Sequence, residues 1–542
     1  MRNSRHIIFL LLACVLIFTG CSDTDNGGTN DIDDYVGNLF VSLQIERQSS
    51  TPGTRANPTG GEEGDGWRYA AEQENRIHDF TVFVICDNDV NAGDNVPVIG
   101  SKYFSSGDVA AATMTNETVN GKDVLSYDFT MTVRYAKGED IISPERLRFI
   151  VVANAGDLSK KFALLGQVRD YIPEKTWTPY SSFDKYSRFV MSNENDAQYI
   201  TGKGSQFDPV RLHVSIERMA ARVDFCKDGA TVTGNEYKYP IYNDDLTTPN
   251  GSNFYLSHVK IVNGMTKPSY LLKRVANTVG GEVTYLGDET ATTAGVPTNY
   301  VIEPTTSLKT TSNQTNTALL TSWFGSSTLA ESMQLTYMTD ADRVHTGSGN
   351  AFTNGTSYDD KDRLNYYVVG YVNENTMDKD ISEKEFVTGL ELKGTFVPAT
   401  VYSGYEASTN TLTKSTTYTK GTTFYRYVRA LGDDDEQEAL YFDNIATANA
   451  FKVAHPEEFG TIVEYTNGLC YYYVWLRHGN NAPEQGTGIM EYGIVRNNIY
   501  RVAIYNITKI GEEKPEPDGP EYVRLKIFVR KWNYYETSII YL

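Results

Sequence analysis

The sequence predicts an all-β protein, and three observations lead to that class. Tyr is very frequent, at 38 of 542 residues, beside many Thr, Val and Gly residues, a composition that suits strands and turns. No long segment keeps the 3.6-residue apolar period of a helix. The last stretch alternates instead, with apolar residues at every second position from Val523 to Val529. A chain of this length exceeds one hydrophobic core, so we expect two domains.

Charge and motif content argue against two classes of function. The formal net charge is -20, and binding to nucleic acid needs a basic surface, so no nucleic acid is expected as a partner. The chain has no G-x-S-x-G, P-loop, H-E-x-x-H or C-x-x-C pattern, and its seven histidines are scattered. We therefore expect no enzyme activity, no cofactor and no metal. Residues 87–94 alternate oxygen ligands but lack the Gly and Glu of a calcium loop, so a polar hairpin loop is predicted.

The N-terminus resembles the leader of a bacterial lipoprotein. A basic start is followed by an apolar run over 7–18, which is too short for a mature membrane span but suits the core of a signal peptide. The run ends in small residues and Cys21, a pattern that resembles a lipobox. We expect residues 1–20 to be removed and Cys21 to carry lipid. An ordinary secretory peptide with a chance cysteine is the alternative.

An alternating strand follows a polar tether. Residues 22–35 are rich in Asp, Gly and Asn, and predict a flexible segment. The next residues predict a strand over 39–46. The residues on its apolar face are Leu39, Val41, Leu43 and Ile45.

The stretch that follows this strand predicts an exposed loop. Residues 47–66 contain Pro, Gly, Ser and Thr and almost no apolar side chain. Arg55 lies at its centre, and exposed loops are where proteases cut. Taken alone, however, a single Arg in a linker is usually only solvated.

The middle of the chain predicts further strands and little helix. Apolar or alternating runs indicate strands over 80–86, 125–133 and 147–153, while helical character is confined to 159–171. Residues 210–225 form two strand-like halves that could open the second domain. The aromatic run over 470–476 could stack sugars, but its alternation favours a core strand. The separate cysteines Cys86, Cys226 and Cys470 predict buried apolar positions rather than a disulfide framework.

The C-terminal region predicts a turn at 496–498, an alternating strand, a stiff Pro- and acid-rich spacer over 511–520, and terminal strands over 522–542. The chain stops on an apolar residue. Such an end needs a partner sheet, in this molecule or in the next one.

Three motifs carry a resemblance to a known family. They are YGIVRNNIY at 492–500, followed by the spacer and a strand around Trp532, IVVANA at 150–155, and IERMAARV at 216–223. With the lipobox-like Cys21, they resemble the major fimbrial subunits, or fimbrillins, of the FimA/Mfa type that build type V pili in Bacteroidales. The resemblance implies an all-β fold of two β-sandwich domains in tandem, transthyretin-like or Greek-key, with few short helices.

The resemblance implies domain limits and an assembly route. Residues 21–55 would be a lipidated propeptide, 56–208 the N-terminal sandwich and 209–542 the C-terminal sandwich. An Arg-specific protease would cut the precursor at the Arg55–Ala56 bond, with Arg47, which directly adjoins the strand, as a rival cut site. The strand over 39–46 would then leave as a placeholder, and the terminal strands of another subunit would fill its place. The donor residues would be Val523, Leu525, Ile527, Val529, Trp532, Ile539 and Ile540.

The resemblance also implies partners and a location. The chain would polymerise with identical subunits in a cell-surface fimbrium, with anchor and tip proteins, and would contribute to adhesion and biofilm formation through receptors on host or bacterial surfaces. The precursor would sit in the outer membrane through its lipid. Two alternatives stay open: an anchor or tip subunit, and a surface lipoprotein that binds glycans.

Overall fold

A computed structural model describes the chain in segments. It covers residues 34–46, 67–69, 74, 76–85, 93–111, 124–136, 147–178, 187–193, 199–226, 230–233, 236–285, 292–293, 296–297, 300–309, 319, 321–325, 333–334, 366–377, 386–430, 437–456, 460–478, 490–515 and 523–533. Residues 87–92 of the polar hairpin loop predicted over 87–94, and the whole loop predicted over 47–66, lie outside these residues.

The first part of the chain forms an eight-stranded sheet. The strands in this part of the chain are β1 (Asp34–Glu46), β2 (Trp67–Tyr69), β3 (Phe80–Ile85), β4 (Val98–Phe104), β5 (Val124–Ala136), β6 (Arg148–Ala153), β7 (Met191–Asn193), β8 (Tyr199–Thr201) and β9 (Val210–Arg218). All of them except β2 belong to this sheet. The order is β4-β3-β6-β7-β9-β1-β5, and β8 pairs with β9. The exception is β2, which belongs to the second sheet.

The rest of the chain adds a larger sheet and several short ones. Its strands are β10 (Ala221–Cys226), β11 (Thr231–Thr233), β12 (Glu236–Tyr242), β13 (Pro249–Val262), β14 (Gly264–Met265), β15 (Val275–Ala276), β16 (Thr292–Thr293), β17 (Val296–Pro297), β18 (Tyr300–Val301), β19 (Phe324–Gly325), β20 (Met333–Gln334), β21 (Tyr366–Val372), β22 (Gly389–Val397), β23 (Tyr402–Glu406), β24 (Thr411–Lys414), β25 (Phe424–Ala430), β26 (Gln437–Phe442), β27 (Ile462–Tyr465), β28 (Leu469–Trp475), β29 (Asn498–Ile507) and β30 (Val523–Asn533).

The second sheet has eleven strands. Its main path is β2-β30-β29-β12-β13-β22-β28, and β10, β11, β20 and β21 pair beside that path. A separate five-stranded sheet, β24-β23-β26-β25-β27, is inserted between β22 and β28. Three two-stranded pairs, β14-β19, β15-β18 and β16-β17, complete the described strands. The all-β prediction is confirmed, and the inserted five-stranded sheet is an element that the sequence did not reveal.

Helices are few and short in the part of the chain that the structure describes. They are α1 (Ser106–Ala111), α2 (Leu165–Arg169), α3 (Thr306–Lys309) and α4 (Ile445–Ala454), with a 3-10 turn at Thr466–Gly468. Helix α2 is shorter than the expected 159–171 because Asp157 binds the backbone N–H and hydroxyl of Ser159 at 2.9 and 2.6 Å, which holds the start of that stretch in a turn. Among the described helices, none is long and apolar enough to cross a bilayer.

Two main cores lie on the two large sheets and meet at their junction. In the first, the alternate residues of β5 are buried (Tyr127, Phe129, Met131 and Val133) while the residues between them are exposed, as expected of a strand with one solvated face. Tyr371 and Ile499 of the second sheet pack into the same cluster. The two parts therefore share apolar contacts.

The passage from the first sheet to the second falls inside the IERMAARV motif. Strand β9 (Val210–Arg218) belongs to the first sheet and β10 (Ala221–Cys226) to the second. The domain limit predicted at 208/209 precedes this passage by one strand. The division into two sandwich domains stays a prediction, since the sheets alone do not define folding units.

Candidate functional site

The predicted placeholder strand lies inside the first sheet. Strand β1 pairs antiparallel with β5 along its whole length, from Asp34 opposite Ala136 to Glu46 opposite Val124. On its other side it pairs parallel with β9, from Val41 opposite Val210 to Glu46 opposite Ser215. We call the space between β5 and β9 that β1 fills the β1 groove. The parallel pairing was not expected from the sequence.

The four apolar residues predicted on one face of this strand all point into the core. Leu39, Val41, Leu43 and Ile45 are between 0 and 3% exposed. They pack in one cluster with β3, β5, β6 and β9. Burial of each such side chain contributes about 1.5–3 kcal/mol. The opposite face of β1 is wetter, since Asn38 is exposed and Phe40 and Ser42 are half-buried.

A glycine completes the groove where β1 begins its buried run. Gly204 has φ +72, and a Cβ there would lie 2.4 Å from Leu39 Cδ1. Its carbonyl oxygen accepts a hydrogen bond from the backbone N–H of Phe40 at 3.0 Å. Only glycine combines this left-handed backbone with so close an approach. The loop between β8 and β9 is therefore shaped to hold β1.

The predicted donor strand is paired within its own chain. Strand β30 runs antiparallel to β29, from Val523 opposite Ile507 to Lys531 opposite Asn498. The other edge of β30 pairs with β2 only at its end, where Trp67, Arg68 and Tyr69 lie opposite residues 531–533. Val523 is buried at the start of β30. For Leu525, Ile527, Val529 and Trp532 the structure describes the backbone pairing.

The remaining predicted site residues lie outside the described part of the chain. These are Cys21, Arg55, Ala56, Ile539 and Ile540. The flanking strands still locate the predicted cut: β1 ends at Glu46 in the first sheet, and β2 begins at Trp67 in the second. The backbone between them passes from one sheet to the other. The protease site and the lipid site stay predictions.

Two of the three motifs that carried the resemblance, IERMAARV and YGIVRNNIY, come together at the junction of the two sheets. Arg218 donates to the Asn497 side chain at 3.0 Å and to the Glu74 carbonyl oxygen at 2.9 Å. The backbone N–H of Asn497 donates to Ala220 at 2.8 Å. Two motifs that are far apart in sequence are thus joined directly. Sequence reasoning noted their letters and missed this contact.

A buried ion-pair network extends the same junction. Arg222 binds Glu74 and Asp224, each at 2.9 Å, and Arg501 lies 3.4 Å from Asp224. The Tyr371 hydroxyl donates to Glu74. All of these side chains are at most 9% exposed. We call Glu74, Arg218, Arg222, Asp224, Tyr371 and Arg501 the junction network.

Another buried arginine, Arg496, anchors the turn that precedes β29. Arg496 binds the carboxylate of Glu374 at 2.8 Å and donates to the carbonyl oxygens of Tyr270 and Leu271 at 2.7 and 3.0 Å. Leu271 in turn contacts the first part of the chain, because its N–H donates to Tyr171 and its carbonyl accepts from Ser192. The predicted turn at 496–498 thereby connects the C-terminal strands to the first sheet.

The charged groups of the junction network are buried, and they contact one another or neighbouring polar groups. The described residues hold no cluster of three or more His, Cys, Asp or Glu side chains suited to a metal ion. The aromatic strand β28 is buried, with Tyr472 at 3% and Trp475 at 6% exposure. Its rings therefore pack in the core, as predicted, and do not form an open sugar platform.

Cys470 provides a prediction about reactivity. Burial raises the pKa of its thiol to about 12, and only the thiolate reacts. In a variant with Cys21→Ser, Cys86→Ser and Cys226→Ser, we expect a thiol reagent at pH 8 to label Cys470 at least about a thousandfold more slowly in the native state than in urea. Native labelling at the rate of a free cysteine would contradict this burial.

His478 provides a prediction about pH. Burial, with a smaller effect of the Lys273 charge, lowers the pKa of His478 to about 4, and its Nδ1 lies 2.9 Å from the Tyr500 hydroxyl. In the unfolded chain His478 takes up a proton near pH 6.5, whereas in the folded chain it stays neutral at that pH. The contribution of neutral His478 to the free energy of unfolding is therefore fully present above about pH 6.5. About 3 kcal/mol of it is lost between pH 6.5 and 4.

The measurement is urea unfolding from pH 7 to 4.5 for the wild type and for His478→Gln. Subtraction of the two curves removes the contribution of the other histidines and the carboxylates. We expect a smaller fall in the free energy of unfolding for the variant. Parallel curves would show that His478 titrates normally in the folded state.

One comparison with known proteins covers the C-terminal strands. Residues 463–538 match the family model for the fimbrillin C-terminal region, described as "Major fimbrial subunit protein type IV, Fimbrillin, C-terminal". This segment includes β28, β29, β30 and the Arg496 turn. No curated protein sequence matches the chain significantly.

Among solved structures, the chain is similar to the tip fimbrial protein Mfa3 from Porphyromonas gingivalis with C-terminal truncation. The identity is 10%, the coverage is 92% of this chain and 100% of that chain, and the TM-score is 0.35. It is also similar to a fimbrilin (fimA) from Porphyromonas gingivalis W83, with 13% identity, coverage of 92% and 98%, and a TM-score of 0.30. The family match over residues 463–538 confirms the resemblance of this chain to the fimbrillins.

Proposed function

We propose that this chain is a polymerising structural subunit of a cell-surface fimbria, joined to its neighbours by exchange of a β-strand. The observation that carries the proposal is the position of β1. It fills a groove between β5 and β9, yet the backbone that follows it leads to β2 in the other sheet. A cut between residues 46 and 67 would leave β1 attached to the subunit only by non-covalent contacts.

Removal of β1 would expose two strand edges and four apolar cavities. The edges of β5 and β9 would offer unpaired backbone N–H and C=O groups, which readily accept another strand. The positions of Leu39, Val41, Leu43 and Ile45 would need apolar side chains. β-Augmentation supplies both, because backbone hydrogen bonds give the pairing and alternate side chains fill the cavities.

The sequence of the predicted donor fits this groove in one register. When Val523 takes the position of Leu39, the next apolar residues, Leu525, Ile527 and Val529, take the positions of Val41, Leu43 and Ile45. A shift of two residues in either direction places Glu521 or Lys531 in the core, which is costly for a charge. In this register Lys526 lies opposite Asp128, which now pairs with Ser42.

The remaining parts of the proposal follow from the sequence. The precursor would be exported with lipid on Cys21 and held in the outer membrane, and an Arg-specific protease would cut after Arg55. Identical subunits would form the stalk, with anchor and tip proteins at its ends and receptors on host or bacterial surfaces as targets of adhesion. A structural role of this kind needs no cofactor and no catalytic site.

Limited proteolysis tests the proposal directly. Purified precursor is treated with a low dose of trypsin, and the new N-terminus and particle size are followed. We expect a first cut that gives Ala56 as the new N-terminus, and then SDS-resistant ladders that vanish when residues 523–542 are deleted. Arg55→Ala should block both steps, and the matched variant Arg47→Ala should block neither.

Cysteine pairs test the register. In a background with Cys21→Ser, Cys86→Ser, Cys226→Ser and Cys470→Ser, Asp128→Cys combined with Lys526→Cys should give disulfide-linked oligomers after cleavage, because directly opposed strand residues lie about 5 Å apart. Asp128→Cys with Phe528→Cys, two residues along, is the matched control and should link poorly. Clean cleavage with no oligomer would favour an anchor or tip subunit, or a glycan-binding lipoprotein.

A further inference from the structure

A buried lysine contacts an asparagine side chain and a glutamate in the second part of the chain. Lys309 Nζ, at the end of α3, lies 2.6 Å from Asn375 Oδ1 and 2.7 Å from Glu303 Oε1. It also lies 2.8 Å from the carbonyl oxygen of Thr376. Lys309, Glu303 and Asn375 are at most 2% exposed. The proposed fimbrial function gives this cluster no role.

The distance places the amine within reach of the amide carbon. A C=O bond is about 1.23 Å long, so a nitrogen 2.6 Å from Oδ1 lies no more than about 3.8 Å from Cγ. Reacting atoms in near-attack arrangements are about 3–3.5 Å apart. The orientation of the amide follows from its contacts, because Asn375 Nδ2 donates to the Phe386 carbonyl at 3.0 Å. Oδ1 therefore faces the lysine.

Glu303 is positioned to accept a proton from the lysine. Its carboxylate accepts hydrogen bonds from the backbone N–H and the hydroxyl of Thr305 at 2.6 and 2.7 Å. These contacts fix the carboxylate with Oε1 on Lys309 Nζ. A base held within hydrogen-bond distance of the proton that it removes is the geometric requirement for general-base catalysis.

Burial shifts Lys309 in the direction of the neutral amine, which is the nucleophilic form. Burial lowers the pKa of Lys309, while Glu303 opposes that shift. The segments beside the cluster are buried: Val301 and Phe386, whose carbonyl oxygens accept hydrogen bonds from Thr376 and Asn375, are at most 2% exposed, and the Phe324 ring centroid lies 5.5 Å from Nζ. Desolvation in an apolar site is a known way to activate a lysine.

We propose that Lys309 and Asn375 form an intramolecular isopeptide bond with Glu303 as the proton carrier. The Nζ lone pair attacks Cγ, and Glu303 takes a proton from Nζ. The tetrahedral intermediate then collapses, the Cγ–Nδ2 bond breaks, and Nδ2 receives that proton and leaves as ammonia. The new Nζ–Cγ amide needs no oxidant and no cofactor. It would covalently link residues 309 and 375, two positions separated by 66 residues.

Intact mass measurement of the purified precursor tests the bond. We expect the mass to be lower than that of the processed sequence by one ammonia, and a tryptic digest to yield one branched peptide that contains both Lys309 and Asn375. Asn375→Asp should give the same linked product, with loss of water in place of ammonia. Lys273 is the internal control, since it is another buried lysine on a glutamate, Glu217, at 2.7 Å, and its peptide should be unmodified.

Variants separate the chemistry from the fold. Lys309→Arg should fold, as judged by circular dichroism, and should keep the full mass of its sequence. Glu303→Gln should also keep that full mass, because the carboxylate that carries the proton is gone. A folded wild-type protein whose mass equals that of its processed sequence overturns the proposal, and leaves Lys309 as an ammonium ion paired with Glu303.

Discussion

Leu43→Asp is expected to destabilise the precursor by more than about 4 kcal/mol and to leave an assembled filament unchanged. Leu43 is fully buried in the β1 groove. A carboxylate there would be desolvated among the apolar side chains of the first core, which is among the most damaging of single substitutions. The filament should be spared, because in the proposed mechanism β1 has left before subunits join.

Urea unfolding of the precursor and heat dissociation of the filament are the two measurements. Asn38→Asp is the matched control: it adds the same charge to the same strand at an exposed position, where the effect should stay within about 0.5 kcal/mol. A Leu43→Asp precursor that unfolds at the wild-type urea concentration would show that β1 is not held in the groove. If the variant filament dissociates at a lower temperature, β1 remains in the polymer.

Strand β1 could be predicted from the sequence because the alternation of its apolar residues is a local pattern. Alternation over 39–46 identified the buried face, and the structure extends the strand back to Asp34. Its neighbours were not accessible. Pairing with β5 and β9 joins residues about 90 and 170 positions away, and periodicity says nothing about which distant strand fits.

The donor strand shows the limit of the same reasoning. Alternation over 523–529 identified an extended segment, and the open question was whether its partner sheet lay in this chain or in another. In this structure β30 pairs with β29 of its own chain. The proposed exchange therefore requires β30 to separate from β29, or requires another part of the terminal region to enter the next subunit. The cysteine-pair experiment decides whether residues 523–529 enter the next subunit.

Only part of the junction could be predicted from the sequence. The letters of IERMAARV and YGIVRNNIY were recognised, but a motif does not say which of its side chains meet. Arg218 and Arg222 read as charges on an alternating segment, and such charges are usually solvated. Here they lie at the boundary of two packed sheets, where Glu74, from the segment between β2 and β3, supplies the opposite charge. That pairing depends on three distant segments arriving together.

Removal of that opposite charge is the second substitution with a large expected effect. We expect Glu74→Ala to lower the free energy of unfolding by about 3–5 kcal/mol, since loss of one partner leaves a buried charge uncompensated. In the junction network, three cations (Arg218, Arg222 and Arg501) face two anions, Glu74 and Asp224. The substitution leaves three cations beside one anion, in a region from which water is excluded.

Glu74→Ala should also destabilise strands of both sheets. Glu74 lies between β2, which pairs with the end of β30, and β3 of the first sheet. Its backbone carbonyl accepts from Arg218 of β9, and its carboxylate accepts from Tyr371 of β21. Hydrogen exchange is therefore expected to rise in β2, β9 and β21 together in Glu74→Ala, while β25 and β26 of the inserted sheet keep wild-type rates.

Glu74→Gln separates charge from hydrogen bonding. The amide keeps the size of the side chain and an acceptor oxygen, so we expect it to retain part of the stability that alanine loses. Equal losses in the two variants would assign the effect to the charge, and a wild-type stability for Glu74→Ala would show that Asp224 alone compensates the arginines. The network joins β9, which lies beside β1, to β29, which lies beside β30. In the proposed fimbria, a network that costs several kcal/mol to break would keep the two sheets in fixed register under load.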